Sequence, residues 1–423
     1  MSLQCRSLVL VLLAASVAAA ASPSPGRSED LEWELGYIQV ALADGASVEE
    51  INDAYGTSAT DSLPPLYQLR TPVGMDEETL IALLSVDPRI AAAEYCYKNQ
   101  TPEGSRQMVV AAVGGTIDEY LDQGAAERLH LEEAHLVTNG AGQVVAVLDT
   151  GVLAGHEALE GAIAAGGYDF VAKDADPTDT ANGFDDDGDG LTDEGAGHGT
   201  MIAGIVRLVA PGAQILPVRI LDDEGRGKTF DVAKGIRHAV QQGAGVINLS
   251  LGLPGHSEII AHEIRAAYDA GVALVAAAGN AGTDSLHFYP ASDPRTLSIA
   301  ALDSADIKTD FSSYDAKVAV SAPGLGIRGP YYDGGWAIGA GTSFAAPFIS
   351  GQCALVRSLE PALLMAGLYE RVSEGVVDIY HLPPNWPYFG ELGTGRFDGI
   401  AMVEHIPLAV TDPPAALPAL RVA

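Results

Sequence analysis

The stretch "VVAVLDTGV", residues 144–152, joins a continuous apolar run to Asp149-Thr150-Gly151. A short apolar run without alternation is typical of a strand buried on both faces of a parallel sheet. Apolar residues at helical spacing, such as Val232, Ile236 and Ala239, separate several runs of this kind. The alternation predicts an α/β fold, doubly wound, with a mostly parallel sheet and helices on both faces. The further apolar runs are "AQILPVRIL", "GVINLSLG", "VALVAAAGN", "TLSIAALD" and "VAVSAPG".

Composition limits the classes of partner. The formal net charge is −33 over 423 residues. Such a chain would repel phosphate backbones, so nucleic acid is excluded as a partner. A hydrophobic content of 48% indicates a globular protein with one large core or two smaller ones.

The first residues predict the compartment. Arg6 precedes an apolar run, Leu8 to Ala20, which ends in small residues around Ala18–Ser22. This pattern predicts a secretory signal peptide at residues 1–21, and therefore a secreted protein. No later stretch reaches the roughly 18 apolar residues that a membrane span requires, so none is expected. We expect a monomer.

Three cysteines do not indicate a disulfide framework. Cys5 lies in the predicted signal, and Cys96 and Cys353 are far apart. Because Cys353 falls within an apolar helical pattern, we expect a buried structural thiol there.

The remaining chain divides into segments. Residues 33–104 show the order βαββαβ, which predicts a ferredoxin-like α+β module. Residues 105–127 are a connector with weak periodicity, and residues 128–407 carry the predicted α/β domain. Residues 408–423 are rich in proline and alanine and are predicted to be an extension.

Four polar residues are predicted at the ends of elements, where a rigid scaffold can direct them inward. Asp149 and Asn280 follow apolar strands, whereas His198 and Ser343 open apolar helices. Pro347 is expected within the first turn of the second helix, where proline is tolerated. Acyl transfer requires a nucleophile, a base, a carboxylate that orients the base, and donors for an oxyanion. These four residue types meet those requirements together.

The chain resembles a subtilisin-like serine protease, a subtilase, over roughly residues 128–405. The stretches that carry the resemblance are "AVLDTGV" around Asp149, "GHGTMIAGI" around His198, "NLSLG" at 248–252, "AAAGNAG" around Asn280, "GTSFAAP" around Ser343, "SSYDAKVAVSAPG" at 312–324 and "GTGRFD" at 393–398. The order Asp–His–Ser is also that of the family. The resemblance implies a serine endopeptidase that hydrolyses polypeptide substrates through an acyl-enzyme intermediate.

The resemblance also implies a role for each matching residue. Ser343 would be the nucleophile, His198 the general base and Asp149 its orienting carboxylate. Asn280, with the Ser343 backbone N–H, would form the oxyanion hole. His156 would be structural. Substrate would bind along two facing edges and against the wall of the S1 pocket. One edge would comprise Ser250, Leu251 and Gly252, the facing edge Gly225 and Gly227, and the S1 wall Ala278 and Gly279. Residues 33–104 resemble the family's propeptide, which would inhibit the enzyme until it is cut away by self-cleavage.

Two other interpretations compete with this one. An aspartic protease would need a second catalytic carboxylate, and the chain has no second Asp-Thr-Gly motif. A non-catalytic, calcium-dependent binding protein on a protease fold is the alternative from another functional class. Labelling of Ser343 by a fluorophosphonate would separate it from the enzyme.

The segment Asp185 to Glu194 contains six carboxylates in ten residues. The spacing Asp185, Asp187, Asp189, Gly190 is typical of loops that wrap around Ca²⁺. The carbonyl of Leu191 and the carboxylate of Asp193 or Glu194 would complete the ligand shell. The loop resembles an insertion between Asp149 and His198, so we expect a structural Ca²⁺ there that stabilises the segment leading to His198.

Overall fold

A computed structural model describes residues 32–105, 111–284 and 288–404 of the chain. The predicted signal peptide at 1–21, the extension at 408–423 and part of the predicted connector lie outside these residues. Within the described ranges, every helix is too short or too polar to cross a bilayer.

The N-terminal module, residues 33–100, has the predicted order βαββαβ. Its antiparallel strands are arranged β2-β3-β1-β4. Both helices pack on one face, where Ile38, Ile51 and Leu80 are fully buried in a small core. The elements are β1 (Trp33–Leu42), α1 (Val48–Tyr55), β2 (Ser58–Leu63), β3 (Leu66–Arg70), α2 (Glu77–Leu84) and β4 (Ile90–Gln100).

The rest of the chain supplies further strands, most of them short. They are β5 (Ala111–Val113), β6 (Val144–Asp149), β7 (Tyr168–Asp169), β8 (Gln214–Arg219), β9 (Arg226–Lys228), β10 (Val246–Leu249), β11 (Leu253–Pro254), β12 (Ala273–Ala277), β13 (Phe288–Tyr289), β14 (Leu297–Leu302), β15 (Val318–Pro323), β16 (Leu325–Pro330), β17 (Trp336–Ala340), β18 (Val376–Val377) and β19 (Arg396–Phe397).

Helices connect or follow most of these strands. They are α3 (Ile117–Leu121), α4 (Gly124–Arg128), α5 (Leu131–His135), α6 (His198–Val209), α7 (Thr229–Gln241), α8 (Glu258–Asp269), α9 (Thr342–Leu359), α10 (Met365–Glu374) and α11 (Gly399–Glu404). Three 3-10 helices, Pro102–Ser105, Glu157–Leu159 and Pro383–Tyr388, complete the described elements.

The central sheet of the described residues has nine strands in the order β18-β19-β15-β14-β12-β10-β6-β8-β7. All neighbours are parallel except the edge pair β18–β19. The predicted doubly wound, mostly parallel sheet is therefore confirmed. Each predicted apolar run became one of its strands.

Alternate residues of each strand face opposite cores. Val145 and Val147 of β6 pack in the core that contains α6 and α9. Ala146 and Leu148 pack in the core that contains α7 and α8. Both faces of the sheet are covered by helices, which explains why β6 reads as an uninterrupted apolar run.

The segment predicted as a connector is folded where it is described. β5 pairs with β17 in a three-stranded antiparallel sheet. The Tyr120 hydroxyl, on α3, donates to the Gly204 carbonyl on α6 at 2.6 Å. Residues 111–128 therefore belong structurally with the α/β domain.

Candidate active site

Three neighbouring strands of the central sheet end in polar residues. Asp149 is the last residue of β6, Ser250 follows β10, and Asn280 follows β12. Because parallel strands share one carboxyl edge, these residues meet although they are far apart in sequence. The first turns of α6 and α9 bring His198 and Ser343 to the same edge. At most 2% of Asp149, His198, Asn280 or Ser343 is exposed.

Asp149 holds the imidazole of His198. His198 Nδ1 lies 2.7 Å from Asp149 Oδ1, which also accepts the Thr150 backbone N–H at 2.8 Å. A hydrogen bond from Nδ1–H to a carboxylate selects the tautomer that leaves Nε2 free to accept a proton. The edge of the Phe344 ring packs against His198 at a centroid distance of 5.4 Å.

Two glycines allow this approach. Gly151 has a φ of +108°, and a Cβ there would lie 2.7 Å from the Pro177 carbonyl oxygen. At Gly199 a Cβ would overlap the Gly151 carbonyl oxygen. Gly199 thus lets α6 approach the end of β6, and Gly151 lets the segment that carries Asp179 approach it.

Asp179 joins the segments that carry Asp149 and His198. Its carboxylate accepts from the Gly197 and Thr200 backbone N–H groups at 3.0 and 3.1 Å, and from the Thr200 hydroxyl at 2.7 Å. The Thr150 hydroxyl donates to it at 3.3 Å and accepts the Gly199 N–H at 3.0 Å. Burial raises the pKa of Asp179 to about 6, against the hydrogen bonds that lower it. The sequence analysis missed Asp179, because no motif surrounds it.

Two hydrogen bonds from Thr342 orient the Asn280 amide. Asn280 Oδ1 accepts from both the backbone N–H and the hydroxyl of Thr342, each at 2.9 Å. Its Nδ2 therefore points into the centre, where it donates to Glu103 Oε1 at 3.0 Å. The Ser343 hydroxyl donates to the same oxygen. One oxygen atom thus lies between the Asn280 amide and Ser343, as an oxyanion would.

The prediction for Pro347 was wrong. α9 begins at Thr342, so Pro347 lies beyond its first turn, inside the helix. Pro347 cannot donate to the carbonyl of Ser343, four residues earlier. The Ser250 hydroxyl donates to that carbonyl instead, at 2.8 Å, and the Asn248 amide supports Ser250 at 2.9 Å. The Ser250 side chain therefore supplies the hydrogen bond that the Ser343 carbonyl lacks within the helix.

The two predicted edges face each other across a cleft. Strand β9 pairs antiparallel with residues 98–100 of β4. Gln100 exchanges two backbone hydrogen bonds with Gly252, both 3.0 Å long, and the Thr101 N–H donates to the Gly225 carbonyl at 3.0 Å. The cleft is therefore filled by an extended segment of the chain itself.

Phe288 lies against both walls beside this cleft. A Cβ on Gly252 would be 2.6 Å from its ring, and a Cβ on Gly279 would be 3.2 Å from it. Ala278 is buried next to Gly279, whose N–H donates to the Thr342 hydroxyl at 3.1 Å. The sequence analysis did not single out Phe288, because its contact with Gly252 depends on the pairing of β11 with β13.

Glu103 is a third residue whose role the sequence does not indicate. Its Oε2 lies 3.4 Å from His198 Nε2, and the residue is 8% exposed. Burial lowers the pKa of His198, but the charges and hydrogen bonds of Asp149 and Glu103 outweigh it and raise the pKa to about 10. No local pattern around Glu103 indicates this contact, since it depends on how the module docks.

His156 and Cys353, both predicted to be structural residues, are buried. His156 Nε2 lies 2.8 Å from the Gly335 carbonyl oxygen, and its Nδ1 accepts the Ala158 N–H. Cys353 is a fully buried free thiol, and burial raises its pKa to about 12. A thiol that is both buried and protonated is not a nucleophile.

The acidic loop brings part of its predicted ligand set together. Carboxylate oxygens of Asp185, Asp187 and Asp189 lie within 4.8 Å of one another. Asp193 does not belong to this group: its carboxylate accepts the N–H groups of Asn182 and Gly183. Glu194 also lies outside it, beside Glu224. The Leu191 N–H donates to Asp189 at 2.8 Å.

Comparison with known proteins identifies the family. The model of the subtilase family matches residues 140–370. The chain belongs to the subtilase family. Subtilases are serine endopeptidases, and the subtilisin-like fold expected from the sequence is confirmed.

Individual relatives cover different shares of the chain. Thermitase from Thermoactinomyces vulgaris is 36% identical over 242 residues, which span 55% of this chain and 81% of thermitase. A thermostable alkaline protease from Halalkalibacterium halodurans is 28% identical over 86% of this chain and 92% of its own length. The structure of fervidolysin from Fervidobacterium pennivorans, a keratinolytic enzyme related to subtilisin, has a TM-score of 0.71 and 25% identity, and covers 92% of this chain and 63% of fervidolysin.

The Asp179 contacts generate a prediction about stability in this subtilase. Asp179→Ala should lower the free energy of unfolding by about 3 kcal/mol, because buried N–H and O–H groups lose their acceptor. Denaturant unfolding of the Ser343→Ala chain avoids self-digestion. Asp176→Ala, at an exposed carboxylate nearby that bonds only within its own turn, is the matched control. Equal stability of the two variants would show that Asp179 does not hold the segments together.

Proposed function

We propose that this subtilase is a secreted serine endopeptidase, stabilised by calcium and matured by self-cleavage. The observation that carries the proposal is the convergence of Ser343 Oγ and Asn280 Nδ2 on one oxygen position beside the Asp149–His198 pair. Such a constellation is suited to attack on a peptide carbonyl with stabilisation of the oxyanion.

The proposed reaction gives each group a defined role. Ser343 attacks the carbonyl carbon as His198 Nε2 takes its proton, and Asp149 stabilises the imidazolium that forms. Asn280 Nδ2 and the Ser343 backbone N–H donate to the oxyanion. His198 then protonates the leaving amine, and a water molecule hydrolyses the acyl-enzyme by the same steps.

Substrate polypeptides would bind extended between the two edges. The pairing of residues 98–101 with Gly252, Gly225 and β9 supports this mode, because backbone hydrogen bonds of this kind are independent of side-chain identity. Ala278, Gly279 and Leu251 would surround the residue before the scissile bond.

The nucleophile and the oxyanion donor can be tested by substitution. Ser343→Ala should lower turnover of a peptide substrate by about 10⁶-fold. Asn280→Ala should lower it by about 10²–10³-fold with little change in KM, since its donor acts on the transition state. Ser321→Ala is a control at another buried serine, whose hydroxyl bonds the Leu392 carbonyl. Unchanged turnover in Ser343→Ala would refute the assignment, and so would absent fluorophosphonate labelling of Ser343 in the cleaved enzyme.

We further propose that the mature enzyme arises by removal of residues 33–104 after a signal peptide at 1–21 is lost. Docking of the module supports an inhibitory role. The Glu94 carboxylate accepts from the Ser257 hydroxyl at 2.6 Å and the Glu258 N–H at 2.8 Å, at the N-terminus of α8. Lys234 pairs with Asp61 at 2.7 Å. The module therefore contacts the enzyme well beyond the cleft.

The domain limits follow from this proposal. The peptidase domain would comprise 128–407 together with the packed part of the connector 105–127, and 408–423 would be an extension. We expect self-cleavage within residues 98–128. A cut between 101 and 111 would separate the segment in the cleft from β5.

Self-cleavage makes a prediction about the expressed protein. Ser343→Ala should accumulate as the uncut chain, because it lacks the nucleophile that would cut it. Intact mass and N-terminal sequencing from a protease-free host would report the outcome, with Ser321→Ala processed normally. Wild-type processing of Ser343→Ala would exclude autocatalysis.

Calcium is proposed at Asp185, Asp187 and Asp189, with the Leu191 carbonyl; Asp193 and Glu194, which lie outside this group of three, are not retained as ligands. An oxygen-only donor set in a glycine-containing loop suits Ca²⁺. Asp187 Oδ2 also lies 2.5 Å from Arg226 Nη2, and the Gly195 N–H donates to the Asp223 carbonyl at 2.8 Å. The loop is thus joined to the substrate edge, so an ion there would stabilise both.

Calcium dependence tests this site. At 10 mM Ca²⁺ and a Kd of about 10⁻⁴ M, binding stabilises by about 2.7 kcal/mol. The melting temperature of wild type should therefore fall in chelator. Asp187→Asn with Asp189→Asn should remove most of that difference. The charge-matched control is Asp269→Asn with Asp284→Asn, at exposed positions. A full calcium response in the loop variant would place the ion elsewhere.

A further inference from the structure

The active site contains a side chain from the N-terminal module. Residues 98–101 run extended along the cleft, but a 3-10 helix, Pro102–Ser105, follows immediately. Glu103, in this turn, projects its carboxylate between Ser343 and Asn280. The oxygen in the proposed oxyanion position is therefore a glutamate side-chain oxygen.

This carboxylate contacts three residues of the proposed machinery. Oε1 accepts from the Ser343 hydroxyl and from Asn280 Nδ2 at 3.0 Å. Oε2 is 3.4 Å from His198 Nε2. A Cβ on Gly341 would overlap Oε1, so the glycine before Thr342 leaves room for it.

We propose that Glu103 is a built-in inhibitor of the uncut chain, whose carboxylate fills the oxyanion position and holds His198 in the cationic form. This inference rests on the proposed function of Ser343 and His198. It adds a chemical block to the steric block that the backbone in the cleft supplies.

The block acts on the base. An imidazolium has no lone pair at Nε2, so it cannot accept the Ser343 proton and the hydroxyl is not activated. Buried between Asp149 and Glu103, His198 faces a carboxylate on each side. Opposite charges at this range favour the charged form of an imidazole, which agrees with the direction of the His198 pKa.

The block also acts on the oxyanion hole. Donors arranged for a charge that develops only in the transition state stabilise a permanent anion in the ground state instead. Withdrawal of Glu103, which self-cleavage of the chain therefore also requires, removes both effects at once. His198 then retains the Asp149 carboxylate and loses that of Glu103. The Asn280 Nδ2 group is free to donate to an oxyanion.

The protonation of His198 tests the proposal directly. In the uncut Ser343→Ala chain, the imidazole of His198 is titrated by NMR, with and without Glu103→Gln. Glutamine preserves shape but not charge, so the His198 pKa should fall by about 2 units. Glu78→Gln, at an exposed carboxylate of the same module, should leave it unchanged. An unchanged His198 pKa in Glu103→Gln would overturn the proposal.

Labelling provides a second readout with Ser343 present. A fluorophosphonate should label the uncut Glu103→Gln chain about 10- to 100-fold faster than the uncut wild type at pH 8, read from the full-length band in the first minutes. The reason is that lowering the His198 pKa by one unit raises its neutral fraction about tenfold. Glu103→Ala should give the same result, and Glu78→Gln should match wild type.

The outcomes distinguish failure of the proposed function from failure of the inhibitor role of Glu103. If Ser343 is not labelled even in the cleaved enzyme, the proposed function fails. If cleaved enzyme is labelled but Glu103→Gln and Glu103→Ala leave the uncut chain as slow as wild type, the inhibitor role of Glu103 fails. If the substitutions only slow self-cleavage, Glu103 is a recognition residue at the cleavage site, and the proposal is overturned.

Discussion

The buried carboxylate of Asp149 requires a partner, and much of the site depends on how that requirement is met. Asp149 is fully buried at the end of β6, where an unpaired charge would be costly. His198 and the Thr150 N–H pair with it, and Asp179 holds the two segments that carry these groups. The close approach of α6 to the end of β6 then demands glycine at 199, and the approach of the segment with Asp179 demands glycine at 151.

Under the proposed function, the same edge of the sheet serves both substrate binding and inhibition. β9 is hydrogen-bonded to β4 of the N-terminal module, so module and peptidase share a five-stranded sheet within the described residues. An extended segment satisfies the free backbone groups of an edge strand without regard to sequence. On this proposal inhibitor and substrate would compete for one set of hydrogen bonds, and specificity of inhibition would come from side chains such as Glu103.

Carboxylates are concentrated in the loop from Asp185 to Glu194 and in the neighbouring segment 222–226. The loop from Asp185 to Glu194 is joined to the segment 222–226 by the Asp186 N–H, which donates to the Glu224 carboxylate, and by the Asp187–Arg226 pair. Glu194 and Glu224 lie together, and burial with this proximity raises the pKa of Glu194 to about 8. A nearby cation stabilises crowded carboxylates of this kind, which connects the proposed calcium to the edge proposed to bind peptide.

The sequence by itself determined the sheet, the helices and four of the residues at the centre. Apolar runs and helical spacing are local properties, and the residues around Asp149, His198, Asn280 and Ser343 are specific to one family. The tertiary structure alone decided the roles of Asp179, Phe288, Glu103 and the side chain of Ser250. Each acts through partners distant in the chain, so no local spacing encodes its contact. Pro347 shows the same limit: its position removes one helical hydrogen bond, and only the packing of β10 against α9 reveals that Ser250 replaces it.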